Sequence, residues 1–136
     1  MSQAPSPVRY ILDSGALIAL EKASPLMTRL LMDVRSGAAC LVVPDAVLAQ
    51  VWRGGAGRQA RIAALLGLKP ERCAKVALDT DAAKQIGLRI GKCGHPDVVD
   101  VHVALVAEAQ AAAVITADRD DILTVSPGLA ETIVDI

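Results

Sequence analysis

Five short apolar runs recur along the chain, VRYIL (8–12), CLVV (40–43), AKVAL (74–78), AVIT (113–116) and TIVDI (132–136), and none presents a regularly polar alternate face. A strand with one face in water alternates polar and apolar residues, whereas a strand covered on both faces does not. The segments between the runs carry helical signals. SGALIAL (14–20) suits a helix with Ser14 as a cap. In ASPLMTRLLMDVRSG (23–37), Ser24 fits the N-cap, Pro25 the first position and Gly37 the end, and Leu26, Leu30, Leu31 and Val34 form the apolar stripe. Further helices are predicted over 45–53, 58–68, 79–94, 96–111 and 119–125. The 96–111 helix is apolar nearly all round and should be buried. Enclosed strands alternating with helices define an α/β class, a three-layer domain with a parallel central sheet flanked by helices.

The length of 136 residues suits one domain spanning 1–136, with the polar, Pro-containing lead MSQAPSP (1–7) expected to be mobile. Hydrophobic residues make up 53%, which requires a full core and excludes a disordered chain. One Tyr, one Trp and no Phe leave that core to Ala, Val, Leu and Ile, and exclude the aromatic platforms on which single-stranded RNA stacks. Basic residues number 14 against 15 acidic ones, a net charge of −1, so no global field attracts nucleic acid and any such contact must be local. Cys40, Cys73 and Cys93 are odd in number and far apart, as in reduced cytosolic proteins. No charged leader precedes an apolar segment, and no apolar run reaches the ~18 residues of a membrane span. The expectation is a cytoplasmic protein without membrane contact.

Against this apolar background the acidic residues fall in particular places. Asp13 follows the first strand directly, and Asp118 lies two residues after Thr116 at the end of AVIT, with Asp120 and Asp121 beside it. Asp97 and Asp100 stand three apart at the start of the buried helix, on one face. In open α/β sheets ligands bind beyond the carboxyl ends of the strands, so these carboxylates are placed to gather there. Gathered carboxylates repel one another and resist burial unless a proton or a cation intervenes. An oxygen-only donor set, with no Cys or His in position, suits Mg²⁺ or Mn²⁺ rather than Zn²⁺. The plainer readings are helix caps for the pairs Asp97/Asp100 and Asp118/Asp121, and a turn residue for Asp13.

YILDSGALIAL with Asp13, VVDVHVALVA with Asp100, and VITADRDDI with Thr116 and Asp118 together resemble the PIN-domain family, and more narrowly the VapC-type toxins. Their order and spacing extend over about residues 8 to 125. The resemblance implies a metal-dependent endoribonuclease using Mg²⁺ or Mn²⁺, with Asp13, Asp100 and Asp118 at the family's acidic positions. It makes Asp97 an auxiliary ligand and Asp120 a supporting group, with Thr116 holding a carboxylate or water through its hydroxyl. It also implies a homodimer, neutralised by a small antitoxin that occupies the active groove. The sequence departs from the family where many members carry Glu in the helix after the second strand, because the matching residue here is Gln50. An amide still hydrogen-bonds a water or phosphate but brings no charge, so either metal affinity is lower or Asp97 supplies the charge; Asp45 is another substitute, or, next to Pro44, simply a helix cap.

Phosphodiester hydrolysis needs a nucleophile and relief of charge on phosphorus, and a divalent ion provides both by acidifying a bound water. Asp13 and Asp118 would anchor one ion, which Asp100 and Asp97 share or complement with a second. The family's in-line attack leaves 5′-phosphate and 3′-hydroxyl ends. His95, beside Pro96, reads as a loop residue, and His102 as a packing residue of the buried helix. Arg53, Arg58 and Arg61 lie in RGGAGRQAR with no acid between them and can pair with RNA phosphates; Lys84, Arg89 and Lys92 form a looser basic set. Trp52 suits a base stack, a core or an interface. Two other classes compete with the nuclease. A degenerate PIN-like module would bind RNA or protein without cleavage, and a receiver-like phosphoacceptor would also cluster Asp at strand ends. The receiver reading fits poorly, since Asp13 ends the first strand and no Lys stands suitably after the later ones.

Overall fold

A computed structural model describes residues 6–55 and 57–136, so most of the expected mobile lead lies outside the described residues. All five predicted strands form: β1 (Val8–Leu12), β2 (Ala39–Pro44), β3 (Cys73–Val76), β4 (Ala113–Thr116) and β5 (Ile133–Asp135). Every neighbouring pair is parallel, in the order β3-β2-β1-β4-β5. The helices are α1 (Ser14–Glu21), α2 (Pro25–Ser36), α3 (Asp45–Val51), α4 (Ala60–Leu66), α5 (Thr80–Cys93), α6 (Val98–Gln110) and α7 (Arg119–Val125). A 3₁₀ helix over Pro127–Thr132, absent from the sequence reading, carries the chain into β5.

The chain moves outward from β1 to β2 and β3, then crosses back to β4 and β5 on the other side of β1. Parallel crossovers are right-handed, so the reversal of direction places α1–α4 on one face of the sheet and α5–α7 on the other. The packing agrees: α1 lies against α2, α3 and α4, while α6 lies against α5 and α7 and across β1, β2 and β4. Ile11, Leu12, Leu41, Val42, Val43, Val114 and Ile115 of the three central strands are each at most 1% exposed, which is why those runs carry no polar alternation. Each such side chain stabilises the fold by roughly 1.5–3 kcal/mol relative to exposure.

Helix ends follow local chemistry, with some shifts from expectation. In α2, Ser24 Oγ accepts the Met27 N–H and Gly37, at φ 85°, closes the helix in the left-handed region. Leu30 and Val34 are buried as expected, and Met27 joins them, while Leu26 and Leu31 are only half-buried. Asp13, not Ser14, caps α1: its Oδ1 accepts the Ala16 N–H at 2.8 Å. The Ser14 hydroxyl instead donates to Gln50 Oε1 of α3. The helix expected over 58–68 shortens because the Gln59 side chain binds the preceding loop, accepting from the N–H of Arg53 and Gly54 and donating to the Val51 carbonyl.

Gly15 sets how closely α1 approaches β4. A Cβ built there would lie 2.6 Å from the Cβ of Ala117, so only glycine lets the first turn of α1 press against the residue after β4. Gly15→Ala should therefore destabilise the protein by about 1–3 kcal/mol, seen as a lower denaturant midpoint at unchanged slope. Adding Ala117→Gly should recover part of that loss. Gly15→Ala as stable as the parent chain would show that the contact is not tight.

Candidate active site

A sheet ordered β3-β2-β1-β4-β5 reverses direction between β1 and β4, and the crevice beyond their carboxyl ends is where such folds hold ligands. Asp13 stands there. Its N–H donates to the Ile115 carbonyl at 3.2 Å, continuing the β1–β4 ladder by one residue. Its Oδ1 accepts from Ala16 and its Oδ2 accepts the Ala117 N–H at 3.3 Å, so one carboxylate ties the start of α1 to the end of β4. Asp13 is 4% exposed. Burial pushes its carboxyl above the ordinary pKa, the Thr116 hydroxyl and the two backbone N–H groups pull it back, and the Asp118 charge raises it again.

Asp118 reaches this position through Thr116, which is fully buried and whose Oγ1 accepts the Asp118 N–H at 2.8 Å. Although it precedes α7, Asp118 makes no side-chain cap bond, so the capping account of it is not realised. The capping account of Asp97 is realised: its Oδ1 accepts from Val99 at 2.9 Å and from Asp100 at 3.0 Å.

Asp100, in the first turn of α6, belongs to a second group. Its Oδ2 lies 2.9 Å from His95 Nε2, and His95, Asp100 and Asp121 each offer a ligand atom within 4.8 Å of the other two. Burial raises the Asp100 pKa, the His95 hydrogen bond opposes that, and the charges of Asp97 and Asp121 raise it further. The structure thus brings Asp13 to Asp118, and Asp100 to Asp97, Asp121 and His95. Asp120 is exposed; its carbonyl accepts the Thr124 hydroxyl and its charge acts on Arg119.

The sequence reading gave His95 a loop role and no place among the donors. His95 does lie on the link between α5 and α6, but the turn through Pro96 and Asp97 returns it to Asp100. No helical period connects residues 95 and 100 across that link. Asp121 was legible, being three residues after Asp118 on one side of α7.

The other predicted residues are placed as follows. Gln50, near the end of α3, is held by Ser14, the neighbour of Asp13. Arg53 is exposed and its guanidinium donates to the Trp52 carbonyl at 2.8 Å. Arg58 is exposed, with its aliphatic stem beside Gly55. Arg61 donates to the Glu21 carbonyl at 3.0 Å, at the opposite end of α1 from Asp13. Arg89, from the looser basic set, pairs with both oxygens of Glu108 at 2.7 and 2.9 Å, so its charge is structural. Trp52 is 40% exposed, so it is not a core residue. His102 is buried as expected, but its Nδ1 has no hydrogen-bond partner among the described residues.

The donor set fits a divalent cation. Two groups of donors are compatible with it: buried Asp13 beside the exposed Asp118, and half-buried Asp100 beside Asp121 and His95; in each a hard cation would relieve the repulsion and the burial of a carboxylate. A family model described as PIN domain matches residues 10–125, and the chain belongs to the PIN-domain family. PIN domains are generally nucleases that act on nucleic acid with divalent metals. A comparison with curated proteins gives no match. No helix of the described residues is long and apolar enough to cross a membrane.

Two variants separate capping from charge clustering. Asp97→Ala should cost the metal-free protein about 1 kcal/mol, the usual effect of losing a cap. Asp100→Asn keeps that cap and removes a repelling charge. The Asp100 pKa is raised in the folded state, so folding retains its proton and the burden of the charge develops as pH rises through the raised value. Thermal melts without metal should show Asp100→Asn close to the parent at about pH 4 and increasingly more stable than it toward about pH 7. A gap that instead closes with rising pH would contradict the arrangement.

Proposed function

We propose that the chain is a Mg²⁺- or Mn²⁺-dependent endoribonuclease, the toxin component of a type II toxin–antitoxin pair of VapC type, acting in the cytoplasm as one PIN domain over residues 1–136. The observation that carries this reading is the buried Asp13 carboxylate at the β1–β4 switch point, coupled to Asp118. Asp13, Asp100 and Asp118 would hold the ion, with Asp97 as an auxiliary ligand. When bound, the cation acidifies a water and neutralises charge developing on phosphorus. The chain's own residues fix the donors. Ala16 and Ala117 orient Asp13, Thr116 orients the backbone of Asp118, and the Ser14–Gln50 hydrogen bond leaves a neutral amide where many relatives place an acid. Asp120, exposed beside the site, is a peripheral acidic group in this reading.

RNA would approach across the loop after α3, where Arg53 and Arg58 are exposed, with Arg61 on α4 against the end of α1. Partner binding is supported by a mean hydropathy of +0.43 and by a groove of about 760 Å³ lined by Leu20, Leu31, Met32, Leu65, Leu68 and neighbouring residues of α1, α2 and α4. An antitoxin anchored in that groove and reaching the active crevice, and a homodimer, complete the proposal. Gln50 favours a second reading, a degenerate PIN module that binds RNA or protein without cutting.

Incubation of the purified protein with structured RNA and Mn²⁺ decides between them. The nuclease reading expects 5′-phosphate ends, suppression by EDTA, and a loss of about 100-fold or more in Asp13→Asn. RNA binding that survives EDTA and Asp13→Asn, with no cleavage, supports the degenerate module.

A further inference from the structure

We infer that His95 supplies a nitrogen ligand to the bound cation, so that the centre selects Mn²⁺ over Mg²⁺; this rests on the metal-dependent reading above. His95 Nε2 and Asp100 Oδ2 are 2.9 Å apart, and His95, Asp100 and Asp121 each offer a ligand atom within 4.8 Å of the other two. An ion with bonds of about 2.1 Å sets adjacent octahedral donors about 3 Å apart and opposite donors about 4.2 Å apart. His95 and Asp100 already stand at the adjacent-donor separation, with Asp121 close enough to complete the set by a small side-chain movement.

Three different elements bring them together: the α5–α6 link, the first turn of α6 and the first turn of α7. The link is held at both ends. The Gly94 N–H donates to Ile90 at the end of α5, and the Asp97 carboxylate receives the N–H groups of Val99 and Asp100 at the start of α6. His95 is thus fixed between two pinned helix ends, with its side chain 14% exposed.

The consequence is chemical. Mg²⁺ binds oxygen donors and keeps its waters, whereas imidazole suits first-row transition ions. Replacing one oxygen donor with an imidazole should shift selectivity from Mg²⁺ toward Mn²⁺ and the ions after it.

The test uses the full chain without a histidine tag, loaded with Mn²⁺, and reads nitrogen coupling by electron spin-echo spectroscopy. The chain has two histidines, so the signal is assignable by substitution. The inference expects directly bound nitrogen modulation that survives His102→Gln and disappears in His95→Gln. Titration should show His95→Gln weakening Mn²⁺ binding by about tenfold or more while Mg²⁺ binding changes less than about threefold. Bound Mn²⁺ without nitrogen coupling, or a Mn²⁺/Mg²⁺ preference unchanged in His95→Gln, overturns the inference and leaves the metal-dependent reading standing. Failure of the parent chain to bind Mn²⁺ or Mg²⁺ at all overturns both.

Discussion

Where β1 ends beside β4, the Asp13 N–H donates to the Ile115 carbonyl and the Ala117 N–H donates back to the Asp13 carboxylate. One residue is thus the last rung of a parallel ladder, the cap of α1 and a buried charge. The rest of the site follows from that junction. Gly15 must be bare for α1 to start so near β4, and Thr116 must be buried for its hydroxyl to receive the Asp118 N–H. The sheet reverses direction at the same pair of strands, so α1 and α6 stand on opposite faces.

The acidic residues divide by function as well as by place. Asp97 caps its own helix, its Oδ1 accepting the N–H groups of Val99 and Asp100. Asp118 sits at the start of α7 without such a bond, and Asp100 hydrogen-bonds His95 with Asp97 and Asp121 close by. Charges that satisfy no backbone group and repel their neighbours do nothing for the stability of the fold. In a domain whose core is otherwise aliphatic, they fit the binding of something positively charged.

Much of this was legible in the sequence because enclosed parallel strands lose their alternation and helix caps have strong local signatures. VRYIL and AVIT, Ser24-Pro25 and Gly37 all formed as read. The parts that were not legible depend on contacts between segments. Asp13 displaces Ser14 as the cap because the strand's last backbone group already points into α1, while Gln50 takes the serine hydroxyl. Arg61 and Arg89 look like free cations in the chain, yet each meets its partner from another element, Glu21 and Glu108. The contact between His95 and Asp100 was hidden for the same reason, since it runs through a turn and not through a helical repeat.

The central claim is that carboxylates from distant segments meet at the β1–β4 crevice around one kind of cation. Anomalous diffraction from crystals soaked in Mn²⁺ tests it most directly. The account predicts manganese within about 2.2 Å of a carboxylate oxygen from Asp13 or Asp118 and of one from Asp100, shared by one ion or divided between two neighbours. Manganese found only at other surfaces, with Asp13 and Asp100 untouched, would contradict it.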